Sequence, residues 1–198
     1  MMEVSVVRTP FVDVPRTNHA AIVRAIDRVL ADCGISSAVA RRRMAEHAIL
    51  ASGWKQNIFH YNAWGVKRGR GWEGDWFSAR SWEIVDGERV DIVGEWRAFR
   101  NWQESVDDYL GRLATPRYRA AQDALYSETV GDEEYFRALR SCGYFTGDLD
   151  DVLRTVRYVE AEWRRTIVDA VGNDLSSRIV ALAVLATLVG LLVWIASR

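Results

Sequence analysis

Apolar residues recur three and four positions apart from Ile22 through Val23, Ile26, Val29 and Leu30, the period of one buried helix face, in a helix beginning at Asn18 and ending near Gly34. Ser36 or Ser37 is placed to cap a second helix carrying Val39, Met44, Ala48 and Ala51, and Gly53 supplies its stop. The pattern then changes. Gly69, Gly71, Gly74 and Gly87 punctuate residues 68–97, and the run Trp82 to Ile92, with Asp86-Gly87 at its middle, predicts a strand, a tight turn and a second strand. A closing helix is expected from Leu149 to Val171, with Val152, Val156, Val159 and Trp163 on its buried side. Pro10 and Pro15 make the first residues read as an extended arm.

The last apolar run has no period. From Ile179 to Ala196 the chain carries no charge, Arg178 and Arg198 bound the run, and Trp194 stands where an interfacial aromatic would sit. A transmembrane helix is therefore expected there, making the protein a tail-anchored, single-pass membrane protein. The N-terminus shows no basic head followed by an apolar stretch, so no signal peptide is expected. The organisation that follows is an arm at 1–17, one domain at 18–171, a hinge at 172–178 and the membrane span at 179–196.

Charge and composition narrow the function classes. With 26 Lys and Arg against 27 Asp and Glu, the chain lacks the basic excess of a nucleic-acid binder. Cys33 and Cys142 are too few and too far apart for a disulfide framework and read as reduced, largely buried thiols. Nine Trp and seven Tyr suit either a core or a groove in which sugar faces stack on rings, and composition does not choose between them. His19, His47 and His60 lack metal-ligand spacing, and Asp148, Asp150 and Asp151 lack the closing Glu of a calcium loop, so neither metal nor cofactor is expected.

Candidate chemistry lies in Ala45 to Lys67. Its helix ends in Ala48-Ile49-Leu50-Ala51-Ser52-Gly53-Trp54 and the chain re-enters as Asn62-Ala63-Trp64-Gly65-Val66-Lys67. Farther on stand Ser81-Trp82-Glu83-Ile84, Phe99-Arg100, Ser105-Val106-Asp107-Asp108-Tyr109, Pro116-Arg117-Tyr118 and Ala138 to Thr146 with Gly143-Tyr144. In this order and spacing, these pieces resemble the glucosaminidase domain of glycoside hydrolase family 73, the flagellar and autolysin type of peptidoglycan hydrolase, over about residues 20 to 165. The resemblance implies a mostly α, lysozyme-like α+β fold with a small β-hairpin lobe opposite the catalytic helix. It also implies peptidoglycan glycan strands as the partner, and a place in the bacterial cell envelope or in the membrane of a phage-type particle.

One departure matters most. The position of the family's catalytic glutamate is Ala51, which can neither hold nor deliver a proton, while the second, more variable acid is kept as Glu83. Hydrolysis of a glycosidic bond needs an acid for the leaving oxygen and a second group to stabilise or attack the sugar centre. Glu46 lies on the same helix, but five residues is about 500° of rotation, which points it away from Ala51. Glu73 and Asp75, in the Gly-rich loop, are the possible replacements. The resemblance further implies that Tyr144 helps position a sugar and that Trp54, Asn62, Trp64 and Tyr118 line the groove, the two tryptophans either as platforms or as packing beneath it. Three readings stay open: a glucosaminidase-type hydrolase disabled at position 51, a binding-only relative that retains the groove, and a domain that only scaffolds a membrane complex.

Overall fold

The computed structural model describes residues 2–9, 18–53 and 58–166. Helix α1 (His19–Asp32) starts where Asn18 accepts a hydrogen bond from the Ala21 amide at 3.0 Å, and it buries Ile22, Val23, Ile26 and Leu30. Helix α2 (Ala38–Ser52) starts at Ser37, whose hydroxyl accepts from the Ala40 amide, and ends at Gly53 in the left-handed region at φ 56°. Unlike α1, it has no single apolar stripe. Ala40, Met44, Ala48 and Ile49 are buried, and so are Arg43, Glu46 and His47 between them, as expected of a helix enclosed on every side.

The hairpin is longer than its sequence signal. Strands β1 (Trp76–Val85) and β2 (Glu88–Arg97) pair antiparallel through ten residues each, with Val85 opposite Glu88 and Trp76 opposite Arg97. Asp86 and Gly87, at φ 52° and 83°, form the two-residue turn in which both central residues have positive φ, the turn whose twist matches that of the strands. Residues 2–9 run alongside. Glu3 bridges Trp76, Val4 donates to the Trp76 carbonyl at 2.8 Å, Thr9 donates to the Ile58 carbonyl at 3.0 Å and His60 to the Val7 carbonyl at 3.1 Å.

Helix α3 (Trp102–Leu113), capped by Asn101, leads through a single 3-10 turn at Pro116–Tyr118 into α4 (Arg119–Tyr126) and α5 (Asp132–Ser141). A further helix, α6, occupies 149–166 and buries Val152, Leu153, Val156, Val159 and Trp163. One core joins all six helices, with Trp64, Tyr109, Tyr135 and Phe136 among its largest fully buried side chains.

Beneath α2 lies a charged cluster. The Arg43 guanidinium, fully buried, donates to Asp132 at 2.9 Å and to the carbonyls of Ser127 at 2.8 Å, Val130 at 2.6 Å and Leu125 at 3.2 Å, and also to that of Ala124. Arg42 reaches Asp132 at 2.6 Å. Burial pushes the Asp132 carboxyl up, but the hydrogen bond from Arg42 and the charge of both arginines outweigh it and hold the group below the ordinary carboxylate range. Glu46 goes the other way: its burial and then the Asp132 charge push its carboxyl far up.

The expected fold class and membrane localisation need correction. The described residues form an α+β domain in which no helix is long and apolar enough to cross a membrane. The physical reason is charge: even α6 carries Asp150, Asp151, Arg154, Arg157, Glu160, Arg164 and Arg165 along its length. A single-pass C-terminal anchor is thus not supported. Residues 172–178 and 179–196, on which the hinge and the span were placed, lie outside the described residues.

Candidate functional site

The end of α2 faces the hairpin across an open cleft of about 560 Å³. Leu50, Ala51 and Gly53 come from the helix, Ser81, Trp82, Glu83 and Trp96 from the sheet, and Tyr118, Tyr144 and Phe145 from the helical side. The cleft exists because α2 stops here. Gly53 turns the chain out of the helix, and residues 58–67 return beneath the opening as a knot of tight turns.

Asn62 ties that knot. Its side-chain amide donates to the carbonyls of Val66 and Arg97, both at 2.9 Å, and its oxygen accepts from the Val66 amide at 2.8 Å. Every polar atom of the amide is engaged within the fold, and Asn62 holds the loop against the end of β2 instead of lining the cleft. Trp64 forms the floor: it is 2% exposed, donates from Nε1 to the Met44 carbonyl at 3.0 Å and stacks on Tyr109 with centroids 4.9 Å apart. Tyr144, half-buried, donates from its hydroxyl to the Trp64 carbonyl at 3.2 Å, and burial pushes that phenol far up. Tyr118 packs edge-on against Tyr144 at 5.8 Å. Trp54 lies outside the described residues.

Ala51 is exposed and stands at the mouth of the cleft. Beside it Gly65, at φ 60°, leaves a gap: a Cβ there would lie 3.8 Å from the Ala51 methyl and 3.9 Å from the Trp96 ring. Glu83 reaches into the cleft from β1 and pairs with Lys67. Among the described residues lining the cleft, Glu83 is the sole carboxylate. Glu46 lies at the opposite face of α2, in the buried cluster, as its rotation from Ala51 requires. Glu73 borders a separate concavity formed by residues 67–73 and Glu95, and neither it nor Asp75 is among the residues lining the cleft.

Two contributors escaped the sequence reading. Trp96 lines the cleft because the two-residue turn puts Glu83 opposite Val90 and Phe77 opposite Trp96, so residues 77, 81, 83 and 96 share one sheet face. That alternation was available from Asp86-Gly87 alone. Gly94 lets the indole lie flat on the strand, since a Cβ there would meet it at 3.0 Å. Arg112, from the last turn of α3, also lines the cleft, and no local sequence signal marks it.

His47 lies under the site, four residues before Ala51. It is 2% exposed, its Nδ1 is 2.7 Å from the Tyr109 hydroxyl, and its ring meets Tyr144 edge-on at 4.9 Å. Burial pushes the imidazole down from its ordinary value of 6.5 to about 3. The folded protein keeps the ring neutral across a range in which the unfolded chain takes up a proton. Stability from the neutral ring is therefore complete above about 6.5 and is lost as pH falls toward 3, by roughly 1.4 kcal/mol per pH unit inside that window. Denaturant midpoints at about pH 7 and about pH 4 should converge more for His47→Gln than for the parent chain. Equal losses in both proteins would show that His47 does not carry this pH dependence.

Among the described residues no group of three or more His, Cys, Asp or Glu side chains is placed to hold a metal ion. Cys33 and Cys142 are free and half-buried.

No family model matches the sequence. It is 30% identical over 124 residues to the peptidoglycan hydrolase FlgJ of Vibrio parahaemolyticus, a match that takes in 58% of this chain and 39% of that protein. It is 30% identical over 118 residues to FlgJ of Escherichia coli K12, covering 56% of this chain and 36% of the relative. The chain thus spans well under half the length of these relatives. Among solved structures, a peptidoglycan hydrolase mutant from Sphingomonas sp. A1 superposes with a TM-score of 0.58 at 24% identity, over 74% of this chain and 99% of that one. The catalytic domain of the autolysin Auto from Listeria monocytogenes superposes with a TM-score of 0.57 at 18% identity, over 78% and 88%. At these identities the structural likeness establishes a shared fold.

Proposed function

We propose that the cleft is a glycan-strand site of the glucosaminidase type, built for peptidoglycan, in which Ala51 occupies the general acid's place so that the chain as written binds the strand without cutting it. The observation that carries this reading is the pairing across the cleft: the bare methyl of Ala51 on the helix side and the lone carboxylate of Glu83 on the sheet side. Cleavage needs two partners flanking the bond, and among the described lining residues only one wall offers an ionisable acid. The names of the FlgJ relatives, and the fold shared with an autolysin domain, support peptidoglycan as the polymer.

The rest of the lining suits a sugar. Trp96 lies along the sheet face that carries Glu83, and Tyr118 and Tyr144 close the other side, so rings are available to stack on sugar faces along the cleft. Glu73 and Asp75, away from the cleft, leave the position of the missing acid unfilled. This arrangement favours the disabled-site reading over a rebuilt one with a stand-in acid.

Purified sacculi provide the test. The chain should cosediment with them at neutral pH and release no reducing ends, and Trp96→Ala should weaken the association by about tenfold, the loss of one stacked ring at roughly 1.4 kcal/mol. A chain that stays in the supernatant with intact sacculi and with chitin oligomers would refute the glycan site.

A further inference from the structure

A second cavity, about 460 Å³, opens beside the cleft between the end of β2, the last turn of α3 and the 3-10 turn. Arg97, Arg112 and Arg117 line it, with Asp108 as the sole carboxylate among its described lining residues. Arg112 and Tyr118 belong to both openings, so the cationic cavity adjoins the cleft.

The three guanidiniums are not equally free. Arg97 pairs with Asp108, donates from Nε to the Lys67 carbonyl at 3.2 Å and lies over the Trp72 ring at 4.2 Å. Arg117 donates from Nε to the Cys142 carbonyl at 2.8 Å, and its Nη2 lies where a Cβ on Gly143 would come within 2.7 Å. Gly143 is itself part of the cleft wall, so this guanidinium flanks the opening. Arg112 differs: its Nε is buried and has no hydrogen-bond partner. Burial lowers Arg97, and the positive charge of Arg112 lowers it further against the pull of Asp108, which places the two guanidiniums within electrostatic reach. One carboxylate against three arginines leaves the cavity with an excess of positive charge.

We infer that this arginine-lined cavity is a carboxylate subsite of the cleft, which receives the acidic substituent of a glycan strand and so sets strand register. The inference rests on the glycan reading of the cleft and adds a chemical distinction to it. A chain of plain N-acetylglucosamine carries no anion, whereas peptidoglycan carries a carboxyl group on alternate sugars, either the lactyl acid itself or, where that acid is amide-linked, the carboxylates of the peptide attached to it. A guanidinium is suited to either source, because its planar donors match the two carboxylate oxygens. Only a sugar that carries the acid would then fit beside Arg112, which permits every second register of the strand.

The test compares three ligands of equal sugar length on the full chain by calorimetry at low ionic strength: a chitin oligomer, a peptide-free muropeptide glycan with its lactyl carboxylate exposed, and the same glycan bearing its peptide. The expected result is a preference of about tenfold for at least one acidic ligand over the chitin oligomer, shrinking as salt is raised. The acidic ligand preferred identifies the source of the carboxylate. In Arg112→Gln the preference should fall to about onefold, while Arg112→Lys should keep most of it, which separates charge recognition from a general loss of structure. Equal affinity of the parent chain for all three sugars would overturn the subsite and leave the cleft reading intact. Binding of none of them would overturn the cleft reading, and the subsite with it.

Discussion

Ala51→Glu is expected to turn the chain into an active glycosidase, releasing reducing ends from purified sacculi at about 10²- to 10⁴-fold above the parent rate, the usual contribution of a positioned general acid. The site has room for the longer side chain: Ala51 is exposed at the cleft mouth, and Gly65 beside it leaves open space where any other residue would project a Cβ toward position 51. Glu83 already stands on the facing wall. A glutamate at 51 must also hold its proton at working pH. A bound strand would cover it against Trp64 and Tyr144, and desolvation of that kind raises a carboxyl pKa. Ala51→Gln, with the same length and no ionisable group, should remain inactive. If a folded Ala51→Glu protein bound glycan yet released nothing above background, the disabled-site reading would fail and a pure binding function would stand.

Arg43→Met should be the most damaging single change to stability, at about 3–5 kcal/mol, because it removes one side of a buried ion pair and the donor for a whole loop. Four carbonyls from Ala124 to Val130 depend on this one guanidinium, two in the last turn of α4 and two in the turn between α4 and α5. Arg43→Lys should recover little, since a single ammonium cannot span carbonyls on both sides of the turn as a planar fork does. For a domain of this size the thermal midpoint should fall by on the order of 10 °C. A loss below about 1 kcal/mol for Arg43→Met would mean that the loop satisfies its carbonyls without the arginine.

These two sites differ in how far the sequence discloses them. Asn18, Ser37, Gly53 and Asp86-Gly87 are legible because a cap or a turn is decided within three or four residues, and each sits where its signal placed it. Ala51 and Glu83 were singled out from a family pattern, and the structure brings both to one cleft. Asn62 was singled out in the same way, but its amide turns inward, since the loop's own amide and carbonyl groups need it. Arg43 gave no signal. A charged residue on a helix is ordinarily solvated, and its partners stand more than eighty residues downstream, so only the assembled fold reveals that it is enclosed. Arg112 was hidden for the same reason, because a cavity bounded by three separate elements has no one-dimensional trace.

The N-terminal arm couples the two walls of the cleft. Its first part hydrogen-bonds to the base of β1 at Trp76, and its second part hydrogen-bonds to residues 58–60, where the chain enters the turns beneath Ala51. A two-stranded sheet on its own is a weak element in water. Here the arm acts as a strap from the foot of the hairpin to the floor, so the gap between Glu83 and position 51 depends on a segment that touches neither. A version of the protein trimmed to begin at Asn18 would keep every residue of the cleft and yet hold the hairpin only by the ties of β2 to residues 62–68, and a tag fused ahead of Met2 would pull on the same strap. Sugar affinity compared across such versions would report on the tether as much as on the groove.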